Sequence, residues 1–188
     1  MKTDLLENFE EALRGDVCFV GLGNVDLGDD AFGVRLAEEI QAAGHPGAIL
    51  AGTTPERWIE EIARRAPETV VFLDAVEVPG EPGSAVFLDA SGLKSRYPQI
   101  STHKLSLGTL AAVLEAKARS RVCLLGVKPL SLAPAAGLTP PVRATMKILM
   151  TLLKVALPAR AREGRGGSLA AGSRPQVSIS AGSFGRRP

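Results

Sequence analysis

The sequence predicts an α/β protein: three layers, α/β/α, built on a twisted, mostly parallel five-stranded sheet. Three observations predict it. Short apolar runs alternate with helix-period segments from residue 17 to residue 157, the order that makes a parallel sheet with helices on both faces. The run TVVFLDAV over 69–76 is almost continuously apolar, as a strand covered on both sides must be. The chain has 188 residues, 45% apolar and 22% charged, which suits one ordinary globular domain able to bury a sizeable core.

The elements follow in order. Residues 3–14 place Leu5, Leu6, Phe9 and Leu13 on one side of a short amphipathic helix. Residues 17–22 read as a buried strand. Residues 30–43 carry Phe32, Val34, Leu36, Ala37 and Ile40 at helical spacing, ended by Gly44 and Pro46. GAILAGTT (47–54) is a second strand, and PERWIEEIARRA (55–66) a helix with Pro55 at a favoured first-turn position. TVVFLDAV is the third strand and GSAVFLD (83–89) the fourth, placed at an edge. STHKLSLGTLAAVLEAKA (101–118) opens with cap-type residues and becomes a helix, RVCLLGV (121–127) is the fifth strand, and TPPVRATMKILMTLLKVAL (139–157) the last helix.

The domain is therefore expected over 1–157, with 1–15 as an N-terminal helical extension. From Pro158 to Pro188 the composition turns to Arg, Gly, Ser and Ala. That basic tail has too little apolar surface to fold and is expected to be disordered. A net charge of +2 favours no class of partner by itself, and no nucleic acid or membrane is expected. No apolar run reaches membrane-span length. The acidic N-terminus lacks a signal-peptide core, so a cytoplasmic protein is expected, and a monomer is expected too. Cys18 and Cys123 lie inside apolar strands and read as small buried hydrophobes, not a disulfide or a thiolate metal site.

Chemistry in an open α/β sheet sits outside the carboxyl ends of the strands. The first strand ends in GLGNVDLGDDAFG, residues 21–33. Gly21, Gly23, Asn24 and Gly33 read as a structural loop. The turn resembles the start of a phosphate loop, but the third glycine of a dinucleotide fingerprint is missing. Asp29 and Asp30 would also repel a pyrophosphate, so the loop reads as built for a cation. Asp74 ends the third strand, and His103 stands before the helix that leads into the fifth. Two carboxylates and an imidazole suit a divalent metal with open positions. His103 is expected in the first turn of its helix, capped by Ser101 or Thr102, where the helix dipole favours the neutral, ligating imidazole. Simpler roles exist: either aspartate could be the N-cap of the next helix, Asp74 could cap a turn, and His103 could merely begin a helix. His45, in a loop after a helix, reads as structural.

The motifs GLGNVDLGDDAFGVR (21–35), VVFLDAV (70–76), STHKLSL (101–107) and LLGVKPLSLAPAAGLTPPV (124–142), in that order, resemble the endopeptidases that mature nickel–iron hydrogenases. The resemblance covers roughly residues 16–157. It implies removal of a C-terminal extension from a hydrogenase large-subunit precursor after nickel insertion. It carries the family's metal-site positions onto Asp30, Asp74 and His103, with Asp29 able to exchange roles with Asp30 by one register. It implies nickel supplied by the precursor and no permanent cofactor. A carboxylate base and a metal-bound water are both open as activator of the attacking water. Three other readings compete. A chaperone of the same fold would bind the precursor without cutting it. A peptidyl-tRNA-hydrolase-like enzyme shares GLGN but would need Pro-Gly and a histidine soon after, where this chain has Val25 and Asp26. A nucleotide-binding module would need the missing glycine.

Overall fold

In the computed structural model, residues 9–96 and 106–156 are described. Five strands form one sheet: β1 (Val17–Leu22), β2 (Ala48–Gly52), β3 (Thr69–Ala75), β4 (Ala85–Asp89) and β5 (Arg121–Val127), in the order β2-β1-β3-β5-β4. All neighbours pair in parallel except β4, which runs antiparallel to β5 at the edge. The predicted fold class and the edge position of the fourth strand both hold.

The helices are α1 (Phe32–Ala42), α2 (Ile59–Arg65), α3 (Ala90–Arg96), α4 (Leu107–Ala118) and α5 (Pro140–Ala156). Single 3-10 turns precede α1, at Gly28–Ala31, and α2, at Pro55–Trp58. Successive side chains of a strand face opposite sides, so the sheet divides the core in two. Phe19, Val71, Leu73 and Leu125 join Phe32, Leu36 and Ile40 of α1 and Leu149 and Leu153 of α5 on one side. Cys18, Val20, Phe72 and Leu124 join Ile62, Leu93, Leu110 and Leu114 on the other. The three-layer arrangement follows from that alternation.

Several expectations shift. The N-terminal helix is described only over 9–12, where Phe9 and the following Leu13 are buried as expected and Phe9 meets Phe87 edge to face at 5.5 Å. Residues 1–8 and the tail beyond residue 156 lie outside the described residues. The helix α3 has no counterpart in the sequence reading. The helix α4 begins at Leu107, capped by Ser106, whose Oγ accepts from the Thr109 N–H at 3.2 Å. It does not begin near residue 102, so His103 is not in its first turn and Ser101 or Thr102 is not its cap. The dipole argument for a neutral His103 therefore falls away. His103 itself lies outside the described residues.

Cys18 and Cys123 are buried free thiols, both pushed up to about 11 mainly by desolvation, so they are inert at neutral pH. His45 packs edge to face on Phe19 at 5.1 Å, and its Nδ1 accepts from the Gly47 N–H at 3.2 Å, a structural role as expected. Among the described residues, no helix is long and apolar enough to cross a membrane.

Candidate functional site

The chain leaves β1 toward one edge of the sheet through α1 and β2, then crosses to the other side of β1 to form β3. The switch point of this winding lies between β1 and β3, and crevices for ligands open outside the carboxyl ends at such points. Gly21 is level with Leu73 in the β1–β3 register. Leu22 and Gly23 thus leave the sheet beside Asp74.

Three glycines close this corner. Gly23 has φ +108°, and a Cβ there would stand 1.8 Å from the Asp30 carbonyl oxygen. A Cβ on Gly33 would stand 1.9 Å from the Leu73 carbonyl and 2.5 Å from that of Leu22. The first turn of α1 therefore lies directly on the ends of both strands. Gly21 is part of β1 and makes no turn. A Cβ there would meet the Gly33 carbonyl at 2.5 Å and Ala37 Cβ at 2.7 Å, so its absence lets α1 approach the strand. Gly23→Val is expected to destabilise the fold by about 3 kcal/mol, from overpacking and a left-handed backbone, read as a lower melting temperature in circular dichroism. Added ATP or NAD is expected to shift no melting curve.

The two adjacent aspartates do different things. Asp29 is 0% exposed. Its Oδ2 accepts from Leu130 N–H at 2.8 Å, Ser131 N–H at 3.1 Å and Thr139 Oγ1 at 2.8 Å, and its Oδ1 accepts from Thr139 N–H at 2.7 Å. Its own N–H donates to the Ser131 carbonyl at 2.9 Å. Asp29 thus ties the segment after β1 to the segment after β5. A Leu27–Pro134 antiparallel bridge and an Ala135 N–H bond to the Asp26 carbonyl at 2.8 Å extend the same seam. Neither aspartate caps a helix with its side chain.

Asp30 is only half-buried. Its Oδ2 accepts from the Asn24 N–H at 2.6 Å, which folds the glycine loop back over it. Asn24 Oδ1 in turn accepts from the Asp26 N–H at 2.9 Å. Asp74 is 4% exposed. Burial pushes its carboxyl well above the ordinary carboxylate range, the neighbouring Asp30 charge pushes it further, and the Ala75 N–H opposes both. Two acidic groups close enough to disturb each other, one of them nearly dehydrated, thus stand together at this corner. A cation entering it would relieve both the repulsion and the desolvation.

The structure places Asp30 and Asp74 together at one strand edge. Among the described residues, no three His, Cys, Asp or Glu side chains converge as a complete metal site, and the third candidate, His103, is outside them. The role of Asp29 was missed, as was that of the 128–139 segment, although that segment is part of the motif at 124–142.

By strand alternation Asp74 shares the side of Val70 and Phe72, the side on which α4 packs. The helix α4 ends at Ala118 and β5 starts at Arg121, so the C-terminus of α4 lies at the amino edge of the sheet. Its N-terminus, antiparallel to the strands, lies at the carboxyl edge with Asp74.

The fold and this corner define an α/β protein with two neighbouring carboxyl groups, Asp30 and Asp74, at its switch point. A model of the family described as "HycI: Hydrogenase maturation protease" matches residues 33–155. The chain is 28% identical over 149 residues to the hydrogenase 2 maturation protease of Escherichia coli K12, covering 75% of this chain and 90% of that protein. The crystal structure of the NiFe hydrogenase maturation protease HycI from Thermococcus kodakarensis KOD1 superposes with a TM-score of 0.71 at 29% identity, over 80% of this chain and 99% of that one. The hydrogenase maturating endopeptidase HybD from Escherichia coli gives 0.64 at 26% identity, over 77% and 93%. The chain belongs to the hydrogenase maturation protease family. Membership makes it an endopeptidase, and implies a metal-assisted mechanism and a hydrogenase large-subunit precursor as substrate.

Proposed function

We propose that this endopeptidase removes the C-terminal extension of a nickel–iron hydrogenase large-subunit precursor after nickel insertion, and that it recognises the nickel already held by that substrate. Asp30, Asp74 and His103 are the groups offered to the metal. The observation that carries this reading is the carboxylate pair: Asp74 buried beside Asp30 at the switch point. Two neighbouring carboxylates, one of them buried, are costly alone and favourable once a cation arrives.

Three features support the residue assignment. All four hydrogen bonds to the Asp29 carboxylate come from its own chain, which favours Asp30 as the ligand. The described N-terminus of α4 is at the same carboxyl edge, and His103 stands three residues before its Ser106 cap in the sequence. Two carboxylates and one imidazole leave positions open on a divalent ion for ligands from the precursor.

The chain's own contribution to cleavage is positioning and proton transfer. A carboxyl held above its ordinary range accepts a proton more readily, so Asp74 suits a general base. The Asn24 N–H holds the Asp30 carboxylate in place. The metal, when bound, polarises the oxygen it touches or acidifies a water.

Incubation of the protein with nickel-loaded precursor is expected to give a shortened band on a gel. An unshortened but tightly bound precursor would favour the chaperone reading instead. Nickel, cadmium or zinc supplied in solution is expected to raise the melting temperature by mass action. His103→Ala is expected to remove most of that rise and to stop processing, while melting without metal stays unchanged. A metal-dependent rise that survives His103→Ala would remove His103 from the assignment.

A further inference from the structure

We infer that Val25, Leu130 and Leu132 form an apolar rim beside the Asp30–Asp74 cleft, and that this rim takes apolar side chains of the precursor segment flanking the scissile bond. The inference rests on the reading of this cleft as the cleavage site.

Val25 is 43% exposed, Leu130 56% and Leu132 48%. They are three of the six exposed large apolar side chains among the described residues. The other three, Leu50, Ile148 and Val155, are spread over β2 and α5. The rim residues instead sit on the two segments that are bonded together at Asp29, next to Asp30. Val25 follows Asn24, whose N–H binds the Asp30 carboxylate. The Leu130 N–H binds the carboxylate of Asp29, the residue before Asp30.

The exposure is built in. Ser131 is pinned through both its N–H and its carbonyl to Asp29, and its Oγ accepts from the Ala133 N–H at 3.2 Å. A Cβ on Gly28 would stand 2.5 Å from the Ser131 carbonyl, so the two segments are in close backbone contact. A loop held this firmly with its leucines outward is preorganised for a partner.

The chemistry of the partner follows from the same segment. Residues 129–139, PLSLAPAAGLT, contain no charged side chain. That stretch itself offers no side-chain charge to phosphate or a strongly charged peptide, and suits an uncharged apolar stretch of polypeptide. Three side chains are too small a patch for a domain interface and about right for one or two substrate side chains. Because both segments are bonded to Asp29 and Asp30, a peptide with its scissile bond at Asp30 and Asp74 would run beside them.

The test uses the full chain and the nickel-loaded precursor with its extension, following cleavage on gels and precursor affinity by fluorescence anisotropy. The double variant Leu130→Ser/Leu132→Ser is expected to weaken precursor binding and raise KM about tenfold, from the lost burial of two partly exposed side chains. Its kcat and melting temperature are expected to stay near wild type, and Val25→Ser to act in the same direction. Ile148→Ser, an equally exposed change on α5, is expected to alter neither KM nor affinity. Unchanged affinity and KM in the double variant would overturn the rim, as would an equal loss from Ile148→Ser or a fall in kcat alone. If the wild-type protein binds but does not cut, the proposed reaction fails, while the affinity comparison still decides the rim.

Discussion

Asp74→Asn is expected to abolish processing and at the same time to raise the melting temperature at neutral pH. Asp74 is the penultimate residue of the core strand β3 and is nearly inaccessible to water. Its carboxyl lies well above the ordinary carboxylate range, first because of burial and then because of Asp30. A carboxyl raised in the folded state binds its proton more tightly there than in the unfolded chain. Its favourable contribution is complete below the unfolded value near 3.8 and is lost as pH rises through the higher folded value. At neutral pH the wild type thus bears the cost of a charge, or of the proton taken up to avoid it. Asparagine keeps the shape and an oxygen for the Ala75 N–H but removes the charge. Loss of a base or metal-facing carboxylate costs on the order of a hundredfold to ten-thousandfold in rate. Melting curves at several pH values above 4 check the stability half: the gap between variant and wild type should widen as pH rises. A variant that melts lower than wild type throughout that range would show that a cation or donor already compensates Asp74.

The same residue shows why much of the fold was legible. Val70, Val71, Phe72 and Leu73 are apolar at every position because both sides of β3 are covered, so a single aspartate in that run marks the strand's end. The parallel order followed from strands alternating with helices, and Pro55 marked a helix start that the structure realises as a 3-10 turn. Other features had no local signal. The helix α3 spans only Ala90–Arg96 and is too short for a recognisable apolar period. The start of α4 was misplaced because Ser101, Thr102 and Ser106 are all cap-type residues. Only the bond between Ser106 Oγ and the Thr109 N–H selects among them. The division of labour between Asp29 and Asp30 was hidden because the partners of Asp29 are 101 to 110 residues away. Local spacing makes adjacent aspartates look interchangeable, and long-range hydrogen bonds separate them.

That separation sets up the second large effect. Asp29→Ala is expected to destabilise the protein severely, while Asp30→Ala leaves the fold intact and stops processing. Removing the Asp29 carboxylate strands the N–H groups of Leu130, Ser131 and Thr139 and the Thr139 hydroxyl in a part-buried seam. Water can reach some of them but not the pocket Asp29 itself fills, so a loss of about 3–5 kcal/mol is expected. For a domain of this size that corresponds to a fall of about 10 °C in melting temperature. Asp29→Asn should recover only part of the loss, because its amide would turn N–H groups toward N–H donors where the carboxylate offered acceptors. Asp30 is half-buried and accepts one bond, from Asn24; its removal also relieves the repulsion on Asp74. Its alanine variant should therefore melt within a few degrees of wild type, yet lose any metal-dependent stabilisation and precursor cleavage. Thermal melts of the two variants, with and without nickel, make the comparison. A stable but inactive Asp29→Ala beside a collapsed Asp30→Ala would reverse the two roles and move the metal-facing position by one residue.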